Sequence, residues 1–166
     1  MKKHLLLILA LVTLMALPFS SCNGEDDEVE NVISENELPS AALDFLDKHF
    51  NEVAITKVVM ITGSVTVYQV ELENGFEVVF NTKGEWQEVD APYYMTVPQA
   101  IIPEPVMQTL NREFSGYGVV EINTTGEGWK VELSTGLNGS HIPGEPGIDI
   151  WFNMSGEILQ TSQDNT

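Results

Sequence analysis

The stretch Tyr68-Gln69-Val70-Glu71-Leu72-Glu73-Asn74-Gly75-Phe76-Glu77-Val78-Val79-Phe80 decides the fold. Tyr68, Val70 and Leu72 alternate with Gln69, Glu71 and Glu73, the period-2 pattern of a strand with one buried and one wet face. Asn74-Gly75 follows, and both residues tolerate the positive φ of a two-residue hairpin turn. Phe76, Val78 and Phe80 then alternate in their turn. The stretch therefore predicts an antiparallel hairpin covered on one side only.

Working outward, the same pattern recurs. Leu38-Pro39 opens one segment and Ile102-Pro103 another. Counting from each proline, apolar residues fall at helical spacing: Leu43, Leu46 and Phe50 in the first, Met107, Leu110 and Phe114 in the second. Each predicts an amphipathic helix of about three turns, begun by a proline whose missing N–H costs nothing in a first turn. Trp129, Val131 and Leu133 alternate like Tyr68, Val70 and Leu72, and Ile148, Ile150 and Phe152 match Phe76, Val78 and Phe80. Asn81-Thr82-Lys83-Gly84-Glu85 has its counterpart in Asn153-Met154-Ser155-Gly156-Glu157. Earlier strands are expected at 55–61 and 119–123.

The expected fold class is thus α+β. Two tandem repeats, 38–90 and 102–161, would each hold one helix followed by a three- or four-stranded antiparallel meander, with the helices packed on one face of the sheet. A unit of about 55 residues buries too little surface to stand comfortably alone, so the two should share one domain over 38–161. The proline-rich bridge 91–105 joins them. The second segment carries an excess of residues, Leu137 to Gly147, rich in glycine and proline. That excess is a hairpin loop, either a recognition loop or a tolerated insertion.

The N-terminus reads as an export signal over 1–21. Lys2 and Lys3 precede an apolar run from Leu5 to Phe19, too short for a permanent membrane anchor. Small residues Ser20-Ser21 then precede Cys22, the only cysteine of the chain. This arrangement resembles a bacterial lipoprotein signal, which implies a lipidated Cys22 and attachment to a membrane. An unpaired thiol in an oxidising compartment would otherwise be a liability. Residues 22–37 hold seven acids and no base, so an acidic disordered tether is expected there. Its start, with Glu25, Asp26, Asp27 and Glu28, resembles the surface-export signal of Bacteroidetes lipoproteins. The implied location is the outer membrane facing the cell surface, with a periplasm-facing protein as the alternative.

Composition narrows the function. With 25 Asp/Glu against 7 Lys/Arg, the formal charge is −18 over 166 residues, which repels phosphate backbones and argues against nucleic-acid binding. One cysteine allows neither a disulfide framework nor a Cys-cluster zinc site. No nucleophile elbow, phosphate-cradling loop or paired-histidine metal motif occurs, so no cofactor, no metal and no catalytic residue is assigned. His49 reads as a packed boundary residue. Glu71, Glu73, Glu77 and Glu132 fall on polar strand faces and read as solvated surface.

The tandem pattern, with Leu38-Pro39, Phe50, the stretch from Tyr68 to Gly75 and Gly84-Glu85-Trp86, resembles the PepSY-like family of Bacteroidetes lipoproteins. That family is similar in architecture to the beta-lactamase inhibitor protein. The resemblance implies a non-catalytic exported module, and no functional residue carries over with it. A binding surface is expected at Trp151, which alternates away from the core, with His141 in the long loop and Tyr93 and Tyr94 in the bridge. The ligand would be a protein, peptide or glycan. The alternatives are a carboxylate-based hydrolase and an accessory subunit of an envelope assembly.

Overall fold

The computed structural model describes residues 28–134 and 147–163. Among these residues nine strands form one antiparallel sheet, in which the spatial order is the chain order. They are β1 (Val29–Val32), β2 (Ile55–Thr62), β3 (Val67–Leu72), β4 (Glu77–Asn81), β5 (Trp86–Asp90), β6 (Gly118–Thr124), β7 (Gly128–Ser134), β8 (Ile148–Asn153) and β9 (Ile158–Gln163). Two ten-residue helices accompany them: α1 (Ser40–His49) between β1 and β2, and α2 (Glu104–Glu113) between β5 and β6.

This overturns the expectation of an α+β protein made of two helix-plus-meander repeats. The chain is mostly β, and its strands make one uninterrupted sheet. The physical reason lies at β5 and β6, which pair directly through Glu88↔Asn123, Val89↔Ile122 and Asp90↔Glu121. Two separate meanders would each leave a strand edge with unmet backbone N–H and C=O groups, and this pairing removes both edges. The expected tether is also corrected at its C-terminal end. Val29 to Val32 pair with β2 from Thr62 to Val59, so the backbone of an acidic, fully exposed segment is ordered by sheet hydrogen bonds without apolar burial. The hairpin at Asn74-Gly75 differs in detail as well, since only Gly75 takes positive φ (89°), and its N–H donates to the Leu72 carbonyl at 2.9 Å.

The helices sit where the apolar spacing places them. Pro39 and Pro103 stand at the N-cap positions, just ahead of each first turn. α1 buries Ala42 and Leu46, and α2 buries Val106, Thr109 and Leu110. Both helices pack on the same face. Across that face runs an aliphatic row, Val58, Val70, Val78, Val89, Ile122, Val131 and Ile150, each directly opposite the next on neighbouring strands. All seven are buried in the core, with Phe80 and Phe152 beside them. Phe45 of α1 meets Phe80 edge-on at 5.6 Å and stacks near His49 at 4.6 Å.

Two turns lock the helices to the sheet. Asn81 accepts from the N–H groups of Lys83 and Glu85 through Oδ1 and donates to the Glu85 carboxylate at 2.8 Å. Asn153 does the same with Ser155 and Glu157. Gly84 (φ 80°) lies against the first turn of α1, and Gly156 (φ 78°) against Pro105 in α2. A Cβ on Gly156 would come within 2.3 Å of the Pro105 carbonyl oxygen, so only glycine allows that approach.

Candidate functional site: the open face of the sheet

Neither helix covers the opposite face. In a strand, successive side chains point to opposite sides, so the register that aligns the aliphatic row also aligns a second row behind it. That row reads Lys57, Glu71, Glu77, Asp90, Glu121, Glu132, Asp149 from β2 to β8. Six carboxylates on six consecutive strands thus stand directly opposite one another. Next to them lies a mixed row, Val59, Gln69, Val79, Glu88, Asn123, Lys130, Trp151 and Gln160.

Opposed like charges are unfavourable, and much of the row is relieved by neighbours. Lys57 pairs with Glu71 at 2.8 Å. The Gln69 amide donates to Glu77 at 3.0 Å, and the Asn123 amide donates to Glu121. Lys130 pairs with Asp149 at 2.9 Å and stands 5.7 Å from the centre of the Trp151 ring. Hydrogen bonding to Asp149 and the charges of Glu121, Asp149 and Glu132 hold the Lys130 ammonium above its ordinary pKa, overcoming its burial.

The two acids of β5 are not relieved in this way. Burial is the main cause that pushes the Asp90 carboxyl up to about 8, reinforced by Glu121 and Glu77 and then by Glu88 and Glu132. Glu88 is pushed up to about 7 by burial first, then by Glu121 and Glu77, with Lys130 acting weakly against them. These side chains are half-buried on a surface the sequence marked as solvated, which corrects that expectation for Glu77 and Glu132 too. Long neighbours on both sides of a central strand shield a short carboxylate from water.

The expected site residues are scattered. Trp151 does lie on the open face, half-buried between Lys130 and Gln160. With Thr125, Gly126, Glu127, Phe152, Leu159 and Gln160 it lines a shallow depression of about 340 Å³. Tyr93 and Tyr94 sit at the other end of the strands, in a turn closed by the Met95 N–H on the Pro92 carbonyl, 41% and 70% exposed. Tyr94 holds a positive φ of 69°. The structure therefore does not bring the tyrosines and Trp151 together. Cys22, Glu25, Asp26, Asp27 and His141 lie outside the described residues, whereas Glu28 lies at their start and packs over Gly63. His49 is partly buried, and burial, then Lys48, lowers its pKa.

Sequence reasoning missed Glu88, Asp90, Glu121, Lys130 and Asp149. Alternation in β6, β7 and β8 was a usable signal, but only the strand register reveals which of these residues share a row. No group of three or more His, Cys, Asp or Glu among the described residues is arranged to hold a metal ion. A second cleft of about 220 Å³ opens between the C-terminal end of α2 and the bridge, lined by Met107, Leu110, Phe114, Tyr117 and Val97 among others.

Among the described residues the fold and face define a class: a mostly-β, single-sheet meander with two helices on one side and an acidic row on the other. The family described as "Putative beta-lactamase-inhibitor-like, PepSY-like" matches residues 17–81 and 66–160. The chain belongs to this PepSY-like family. Among solved structures it is similar to a "putative periplasmic protein of unknown function" from Bacteroides vulgatus, at 27% identity and a TM-score of 0.69, covering 82% of this chain and 99% of that one. A second periplasmic protein from the same species matches at 26% identity and 0.70, covering 84% and 99%. A "putative calcium-regulated periplasmic protein" from Bacteroides thetaiotaomicron matches at 23% identity and 0.68, covering 80% and 96%, a likeness of fold alone. No curated protein matches the sequence.

Proposed function

We propose that the chain is an exported, lipid-anchored, non-catalytic binding module that takes its ligand on the open face of the sheet. One observation carries this reading: among the described residues neither helix lies on this face, and six aligned carboxylates lead toward the Trp151 depression. Complementary charge would steer a Lys/Arg-rich protein or peptide onto such a surface, and a half-buried tryptophan can anchor it. The periplasmic description of its relatives agrees with export. Membrane attachment through Cys22 and display at the cell surface extend that reading from the signal sequence.

Carboxylate-based hydrolysis is the weaker reading. It asks for two carboxyl groups flanking a substrate in a cleft, and neither of the two clefts is lined by the acidic row. The deciding experiment captures partners from intact cells by crosslinking, comparing the wild-type chain with Trp151→Ala and Glu121→Gln. A basic partner enriched by wild type and lost with both variants supports the face. Equal capture by all three overturns it. Incorporation of a fatty-acid label into the wild-type chain and not into Cys22→Ser tests the anchor separately. Protease access on whole cells, compared with a variant carrying alanine at Glu25, Asp26, Asp27 and Glu28, tests display.

A further inference from the structure

We propose that the β5–β6 seam is a proton-dependent joint: while Glu88 and Asp90 keep their protons the two halves of the sheet stay closed, and losing those protons loosens this seam ahead of every other strand pair.

Two independent features of the geometry meet at this place. The first is the ladder itself. β5 and β6 share three directly opposed residue pairs, the shortest register between any adjacent strands of the sheet. Beyond the register, the Ala91 N–H donates to the Val120 carbonyl and the Val97 N–H to the Val119 carbonyl, both at 2.8 Å, so one flank of the seam is held by the bridge. The Thr124 hydroxyl reaches the Gln87 carbonyl only at 3.4 Å. On the covered face the seam rests on Val89 against Ile122, both buried.

The second feature is what the seam carries on the open face. Asp90 is flanked directly by Glu77 from β4 and Glu121 from β6, with Glu88 on its own strand and Glu132 beyond from β7. Glu88 stands between Val79 from β4 and Asn123 from β6, with Glu121 and Glu77 as neighbouring charges. Among the described residues Lys130 of β7 is the one cation acting on Glu88, and its ion pair is with Asp149. Neither Glu88 nor Asp90 makes an ion pair among the described residues. Elsewhere in the row Lys57, Gln69, Asn123 and Lys130 each supply a donor to an acid. At the seam a proton must do that work.

The energetic consequence follows from linkage. Burial and the surrounding acids push both β5 carboxyls up to around neutrality or above, so the closed sheet binds protons that an opened seam releases. Raising the pH therefore favours opening, and it does so where the ladder is shortest. Under the binding role proposed above, a cationic partner would replace those protons and close the same joint. That link rests on the binding reading, whereas the joint does not.

Amide hydrogen exchange on the full chain tests this, between about pH 5 and about pH 9 and corrected for intrinsic chemical exchange. The expected result is that amides of β5 and β6 lose at least about tenfold in protection relative to those of β3 and β4, the equivalent of one pKa unit. In Asp90→Asn that relative loss should shrink or vanish. Equal changes across all strands, or an unaltered response in Asp90→Asn, would overturn the proposal. If Asp90→Asn fails to fold, carbon-detected titration of the two carboxyls in the wild-type chain decides. Midpoints above about 6 support the joint, and midpoints in the ordinary carboxylate range overturn it.

Discussion

The two faces of the sheet are ordered by one register and made of opposite chemistry. Val70 stands beside Glu71 in the chain, Val78 beside Glu77, Val89 beside Asp90, Ile122 beside Glu121, Val131 beside Glu132 and Ile150 beside Asp149. Whatever aligns the aliphatic row must therefore align the carboxylates. The magnitudes explain why this is tolerated. Burying a Val or Ile side chain is worth about 1.5–3 kcal/mol, while a directly opposed like-charge pair costs roughly 0.2–1 kcal/mol. The covered face wins at every strand, and the acids are carried along.

The largest test of the contrast is Ile122→Ala, which should remove about 2–5 kcal/mol in urea unfolding because Ile122 is fully buried in the middle of the row. A loss below about 1 kcal/mol would mean that the row does not carry the fold. Next comes Gly156→Ala. Left-handed backbone costs an alanine about 1–2 kcal/mol, and the clash with Pro105 adds to it. Gly116→Ala isolates the clash, since Gly116 also has positive φ (99°) but nothing within 4 Å of its Cβ position. If the two variants are equally stable, the contact between the β8–β9 turn and α2 is not restrictive.

The acidic row gives a smaller effect of opposite sign. In the unfolded chain Glu88 and Asp90 titrate near the ordinary carboxylate value of about 4, whereas in the folded chain they are pushed up to about 7 and about 8. The folded state therefore binds more protons between those limits, and wild-type stability should fall as pH rises through them. At about pH 8, Glu121→Gln should stabilise by about 0.2–1 kcal/mol while keeping its oxygen for Asn123. Stability that climbs over this range would refute the assignment. Trp151→Ala should cost less than Ile122→Ala by calorimetry, because Trp151 is only half-buried, and yet remove the proposed partner from a crosslinked complex.

How much of this was legible in the sequence depends on range. Period-2 alternation located the strands around Val70, Val78, Val131 and Ile150 because it is a local signal. The helical stripes from Leu43 and from Met107 were equally local, and they gave two short helices the same weight as nine strands. Hence the α+β expectation. β1 could not be seen, since Val29-Glu30-Asn31-Val32 is exposed throughout and owes its order to pairing with β2. The bulge between Val79 and Phe80, where Trp86 pairs with Phe80 and Glu88 with Val79, shifts β5 by one residue and breaks its pattern. The acidic row needs every register from β2 to β8 at once. No window of sequence contains that information, although Glu71, Glu77, Glu132 and Trp151 were each legible as lying on a polar strand face.

The strictly sequential strand order has a kinetic consequence. Most strands find their partner across a short turn, so little chain entropy is lost at each step. β5 and β6 are the most widely separated neighbours, with residues 91–117 and all of α2 between them, whereas residues 33–54 with α1 separate β1 from β2. A chain emerging N-terminus first can complete the hairpins from β2 to β5 and seat α1 on them before β6 exists. The closing of the molecule is then a single late event at Val89 and Ile122, and its rate should follow the length of the bridge rather than the strength of any hairpin.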